Sequence, residues 1–539
     1  MVLQEDYMET SAKVYFNGDI LTLEEELYAE ALFIKDGKIN KVGTKEEVFA
    51  AAGEDVERID LQGKTLMPSF IDAHSHFSGY ASSFTQVDLK EVVSFEEIKE
   101  AIQKFIQKNK IQPGQWIQAD GYDQNFLEEK MHPTRELLDD AAPNNPVLAK
   151  HKSGHMGVFN TLGLKELGIT EVTKSPEGGM IEVKNGRLTG YMEEAAYVKN
   201  LQEIPMISTE EFIGSLMKAQ EAYASYGITT VQEGFVVEQL APIFQYLMQA
   251  KALKIDLIGY LDAFHADELK EKFANCFKQY NNRIKIGGYK MFLDGSPQGR
   301  TAWMRTPYQG EEKEYYAYGT QKDEDVEAKL KYALDEDTQM IVHCNGDAAC
   351  QQYIDQYAKA KANTGSDHEI RPVIIHAQLL DRDQLDQVKE LGMIPSFFVA
   401  HVYHWGDIHI KNYGIDRAKR ISLANSAGQK GILYTFHQDA PVTQPNMLET
   451  IWCAVNRWTK QGVLLGEEER VTPYEALKAV TKNAAYQYFE EDNKGTLKEG
   501  KLADLVILDK NILKVEPMKI REIQVLETIK EGSTIYKKA

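Results

Sequence analysis

Cysteine is scarce: the 539 residues contain four, Cys276, Cys344, Cys350 and Cys453, with no CxxC spacing. That excludes a disulfide framework and fits a reducing, cytoplasmic setting. No run reaches the roughly 18 apolar residues that a membrane-spanning helix needs. Residues 1–7 lack a basic segment leading into an apolar one, so no secretion signal is expected. Positive charge is also in deficit, with 61 Lys and Arg against 82 Asp and Glu and a net charge of −21. Nucleic acid and anionic membranes both reward clustered cations, so neither is an expected partner. Internal repeats and low-complexity tracts are missing too.

What is present is patterned. Strand-like segments occupy both ends: residues 12–16 and 20–23 around a turn at Asn17-Gly18, and residues 31–34 and 39–42 around Asp36-Gly37. Residues 505–508 and 525–529, with a turn at Glu531-Gly532-Ser533, repeat this texture. One small β-sandwich domain, built from residues 1–64 and 490–539, is the expectation. Between the ends lie eight apolar candidate strands: residues 66–73, 229–232, 256–261, 284–292, 339–343, 373–376, 393–398 and 432–436. Helical spacing fills most of the intervals, as in residues 210–226 and 323–335. Eight strands alternating with helices predict an α/β (β/α)8 TIM barrel over residues 65–489. The interval of about 77–207 is too long for one crossover. It holds a helix (95–108), a strand (146–150) and a hairpin at Lys184-Asn185-Gly186-Arg187, and reads as an insertion after the first barrel strand.

Chemistry-bearing residues sit at the ends of these strands. The first runs into His74-Ser75-His76, where alternation along an extended chain brings both imidazoles to one side. Two imidazoles at one point suit a borderline metal such as zinc. Lys290 lies inside an apolar run, His343 and His376 each close a strand, and Asp439 follows the last one. Alone, each has an ordinary reading: a turn, a hydrogen-bonded histidine, a snorkelling lysine, a helix cap. In a parallel barrel, however, all strand C-termini open on one face.

In this order the residues reach a recognisable pattern. The chain resembles the amidohydrolase superfamily and, within it, amidohydrolase family 3, the YtcJ-like group that includes N-substituted formamide deformylase. The resemblance runs through "GKTLMPSFIDAHSHF", "GYDQNF", "HKSGHMGVFN", "YKMFLDGSPQGRTAWM", "VHCNGDAAC", "HQDAPV" and "GTLKEGKLADLVILD". It implies a divalent metal, zinc by preference, at one or two ions per chain. His74 and His76 resemble the pair on the more buried ion, Lys290 the lysine that bridges two ions once carboxylated, and His343 and His376 the ligands of the second. Asp439 resembles the last-strand aspartate that binds metal and handles the proton of the hydrolytic water. A homodimer is implied by the same likeness.

A metal lowers the pKa of water and polarises a carbonyl, which makes hydrolysis feasible near neutrality. Should Lys290 stay unmodified, a mononuclear site of His74, His76, His343 and Asp439 is the fallback. His155, in a loop that the family uses, is assigned to the substrate carbonyl or developing oxyanion, with a loop histidine satisfied by the backbone as the competing reading. Asp123 and Arg300 are assigned to substrate, with structural ion pairs as the competing reading. Asp294 is expected to build the loop after the Lys290 strand, while Cys344 and Cys350 read as inert buried thiols. The family usually places a small pair before the last aspartate. Here it is His437-Gln438, and His437 either shapes substrate choice or points into the barrel wall. The expected function is metal-dependent hydrolysis of a C–N bond in a small molecule: a non-peptide amide, N-acyl or N-formyl group. Cyclic amides, amino-substituted heterocycles and esters are alternatives for the same chemistry. A non-catalytic binding protein retaining the fold would be expected to have lost a ligand, and none is lost.

Overall fold

The computed structural model describes residues 12–205, 208–310 and 313–539. The N-terminal residues 1–11 and Ile207, the expected end of the insertion, lie outside them. Among the described residues no helix is long and apolar enough to cross a membrane. Contacts divide the chain into two units, residues 78–219 and the remainder.

In the larger unit an all-parallel eight-stranded sheet follows chain order: β1 Phe70–Ile71, β2 Ile228–Val236, β3 Asp256–Asp262, β4 Ile284–Phe292, β5 Gln339–Cys344, β6 Val373–His376, β7 Ile394–Phe397 and β8 Thr435–Phe436. Strands covered on both sides need apolar residues at nearly every position, which explains their unbroken hydrophobic runs. Helices such as Ala241–Ala250, Asp323–Asp335 and Asp347–Thr364 connect them. The sheet curls until the segments beyond β1 and β8 meet. His76 N donates to Ala440 O at 2.8 Å and Asp439 N to His74 O at 3.2 Å. This is the expected TIM-type barrel.

The first expected strand, residues 66–73, proves to be two. Thr65–Pro68 joins a second sheet, antiparallel to Leu505–Leu508, and only Phe70–Ile71 enters the barrel. Pro68 has no N–H and ends the first ladder. The chain then changes sheets, with Ser69 N donating to Asp504 O and Phe70 N to Gly227 O. The second sheet draws on both ends of the chain, from Lys13–Leu21 to Ser533–Lys537. Its hairpin at Asp36-Gly37 is as expected, with both residues at positive φ. Asn17-Gly18 instead forms a bulge within one strand, where the register shifts between Phe16 and Ile20. A Cβ on Gly18 would lie 2.4 Å from Lys64 O, so the close approach rather than a hairpin requires glycine.

The smaller unit carries a six-stranded sheet, ordered Gly179–Lys184, Arg187–Glu193, Met156–Phe159, Val147–His151, Ile117–Tyr122, Val87–Asp88. The expected helix appears as Phe95–Asn109, with the Ser94 side chain accepting from Glu97 N.

At the strand-start end of the barrel, a buried ion network borders a cavity of about 780 Å3. Asp256, the first residue of β3, receives Lys494 at 2.6 Å, Lys530 at 2.9 Å and Arg283 at 3.1 Å. Lys530 also pairs with Asp504 at 2.9 Å, Lys494 with Glu490 at 2.6 Å and Arg283 with Glu531 at 2.9 Å. Lys285 completes the set on Glu490. Four cations and four carboxylates balance, and they tie the composite sheet to the barrel. Asp256→Asn leaves four cations facing three carboxylates and should cost about 3 kcal/mol. Urea unfolding checks this, and a loss below about 0.5 kcal/mol would contradict it.

Candidate metal centre

The ends of β1, β4, β6 and β8 converge. His74 Nε2 lies 3.5 Å and His76 Nε2 3.6 Å from Asp439 Oδ1, and the three donors meet within 4.8 Å of one another. Lys290 Nζ stands 3.3 Å from His74 Nε2, and His376 Nε2 lies 3.9 Å from Asp439 Oδ2. Backbone conformation contributes, because His376 and Asp439 adopt φ of 71° and 52°. Side chains beyond glycine seldom take this conformation, and the surrounding structure must hold it.

A buried glutamine fixes the ring of His74. Gln232 Nε2 donates to Ala73 O at 3.0 Å and to Tyr488 Oη at 2.9 Å, and Tyr488 donates onward to Asp72 O at 2.7 Å. With its amide so oriented, Gln232 Oε1 faces His74 Nδ1 at 2.5 Å and accepts its proton. Nε2 is left with a lone pair, 3.3 Å from Lys290 Nζ and 3.5 Å from Asp439 Oδ1, and a free lone pair is what a metal ligand needs. The polar Gln232 within the apolar run of β2 is a signal that sequence reading passed over. Tyr488 offers no such signal.

His343 stands apart from the tight cluster. Its ring packs edge-on against His376 at 4.7 Å, Nδ1 lies 3.2 Å from Asp294 Oδ1, and Nε2 is 3.3 Å from Asn345 Nδ2. Asp294 builds its loop by accepting from Asn345 N, Gly346 N and Trp303 N at 2.9, 2.7 and 3.1 Å. His437, read as shaping substrate choice or pointing into the barrel wall, packs among the rings of the centre, 5.1 Å from His376 and 5.3 Å from His74. It is fully buried, with its ring nitrogens engaged by His376 and Ser396. Arg300 is engaged in its own loop, donating to Gln309 O at 2.7 Å and lying over Tyr308. In the smaller unit Asp123 accepts from Asn125 N at 2.9 Å and lies 3.7 Å from His151, while His155 Nδ1 meets Glu194 at 3.1 Å. Cys344 and Cys350 are buried free thiols.

Burial dominates the electrostatics. It lowers the Lys290 pKa to about 7, against the opposing pull of Asp439. It holds His74 and His376 well below the usual imidazole range, helped at His74 by Lys290 and at His376 by His343. It also raises the Asp439 carboxyl, although His76, Lys290 and His343 oppose the shift. Asp439 Oδ1 has no hydrogen-bond partner and is out of reach of solvent. The convergent donors of His74, His76 and Asp439, with an orphaned carboxylate oxygen among them and a readily neutralised amine beside them, fit a divalent cation.

The architecture and donor set define the class, a parallel barrel with a metal-type centre at its strand ends. The sequence profile of the amidohydrolase family matches residues 57–536, and the chain belongs to that family. It is 26% identical to the YtcJ protein of Bacillus subtilis (strain 168) over 538 residues, 98% of this chain and 99% of that one. It is also 26% identical to the N-substituted formamide deformylase of Arthrobacter pascens over 536 residues, 97% of this chain and 98% of that enzyme. Among solved structures, an uncharacterized metal-dependent hydrolase from Pyrococcus horikoshii OT3 aligns with a TM-score of 0.77 at 26% identity. That alignment covers 94% of this chain and 99% of the other.

In the metal-free protein Lys290 has a folded pKa of about 7 against an ordinary 10.5. Between these values the unfolded chain holds the extra proton, so this residue's contribution to stability rises with pH. Lys290→Met should therefore stabilise the metal-free protein most at or below pH 7, with the gain shrinking toward pH 9. Thermal unfolding of both proteins across this range checks it, and a pH-independent difference would contradict it.

Proposed function

We propose that the protein is a metal-dependent hydrolase that cleaves a carbon–nitrogen bond in a small molecule: a non-peptide amide, N-acyl or N-formyl group. The observation that carries this reading is the buried Asp439 carboxylate between His74 and His76, with Oδ1 lacking a donor. The family and the deformylase among its relatives support the bond type. A divalent ion, zinc by preference, supplies Lewis acidity and brings the pKa of water toward neutrality when bound.

His74, His76 and Asp439 would hold the first ion, and His343 and His376 a second. Lys290, its pKa lowered by burial to about 7, is about half deprotonated at neutral pH, which suits addition of CO2 to its Nζ with loss of a proton. The resulting carbamate would present oxygens to both ions. Asp439 takes the proton of the attacking water and passes it to the departing nitrogen, and its raised carboxyl pKa suits both halves of the transfer. Asp123 and His155 keep their assignment to substrate on the resemblance alone.

The zinc- or manganese-loaded protein should release amine from members of an N-formyl, N-acyl and cyclic amide panel. Asp439→Asn should lower that rate by about 10²–10⁴-fold. Wild-type turnover in this variant would remove Asp439 from the mechanism. Hydrolysis confined to esters or amino-substituted heterocycles would favour the alternative substrates.

A further inference from the structure

His437 lies two residues before Asp439, and its surroundings suggest what it does. Its ring is fully buried, as is Ser396 on β7. His437 Nε2 lies 3.1 Å from His376 Nδ1, and His437 Nδ1 lies 3.0 Å from Ser396 Oγ. Phe398 covers both rings, at 5.3 Å from His437 and 6.0 Å from His376.

Each of these contacts needs one proton, and neutral rings allow two arrangements. In the first, His376 Nδ1–H donates to His437 Nε2, and His437 Nδ1–H donates to Ser396 Oγ. His376 Nε2, 3.9 Å from Asp439 Oδ2, then carries a lone pair. In the second, Ser396 donates to His437 Nδ1, His437 Nε2–H donates to His376 Nδ1, and His376 Nε2 carries a proton. Charge and hydrogen-bond count are the same in both, but only the first presents a ligand to the centre.

We propose that His437 is a positioning residue for His376, and that Ser396, His437 and His376 form a hydrogen-bonded chain whose proton arrangement decides whether His376 can bind a metal. The proposal rests on the metal-hydrolase reading. A cation at the centre selects the first arrangement, and the serine hydroxyl, free to rotate, accepts the last proton. Gln232 plays the equivalent part for His74 with a single tautomer, since its amide is fixed by two acceptors. His376 has no such fixed partner, so its ligand state is conditional.

The test is zinc binding to the metal-stripped full-length protein, by competition with a chromophoric chelator, alongside the visible spectrum of the cobalt-substituted form. His437→Leu should weaken the more weakly held of two ions by roughly 10- to 100-fold and alter the cobalt spectrum. Ser396→Ala, a near-isosteric change suited to preserving the fold, should weaken the same ion by a smaller factor and leave the tighter ion unchanged. Wild-type affinities and spectrum in Ser396→Ala and in any folded His437→Leu would overturn the proposal while leaving the metal reading intact. An absence of zinc binding by the parent protein would overturn the metal reading and the proposal with it.

Discussion

The Asp439 carboxylate is the constraint around which the centre is arranged. Burying a carboxylate costs several kcal/mol unless something compensates its charge. Here the nearest groups compensate poorly, because burial drives Lys290 toward its neutral form and keeps His74 and His376 uncharged. Oδ1 accepts no hydrogen bond. A site that keeps its imidazoles uncharged and leaves a carboxylate oxygen without a hydrogen bond suits a cation that the side chains do not supply. The left-handed backbone at Asp439 and His376, the amide lock on His74 and the histidine–serine chain behind His376 all serve that one demand.

The barrel separates this demand from the problem of staying folded. Its strand ends carry the underpaired polar groups, while its strand starts carry the charge-balanced network around Asp256. That division follows from the architecture, since parallel strands deliver all their C-termini to one face and leave the other to stability. The sheet change at Pro68-Ser69 links the two tasks. It lets one apolar run serve both sheets and leaves His74 a few residues beyond the crossing.

Much of this was legible in the chain. The eight apolar runs are local features, and the strand-end positions of His74, His76, His343, His376 and Asp439 follow from them. The departures have identifiable causes. Asn17-Gly18 carries a hairpin signature, yet Gly18 answers to Lys64, far along the chain. Gln232 and Tyr488 are 256 residues apart, so no local pattern joins them. His437 was read for its chemistry at a strand end, where a ring is free to face the cavity or the wall. Its partners Ser396, His376 and His74 all lie on or just beyond other strands, so no local pattern shows how the ring is held. Within the smaller unit the elements were readable, but the internal partners of Asp123 and His155 were not, because each depends on tertiary contact.

The central claim is that His74, His76 and Asp439 hold a catalytic divalent ion. The most direct measurement is elemental analysis of the purified protein beside a His74→Ala, His76→Ala double variant. About one to two zinc-like ions per chain in the parent, with the tightly held ion lost in the variant, is the predicted result. Absence of metal from the parent after supply of zinc and manganese, or equal metal in both proteins, would contradict the account.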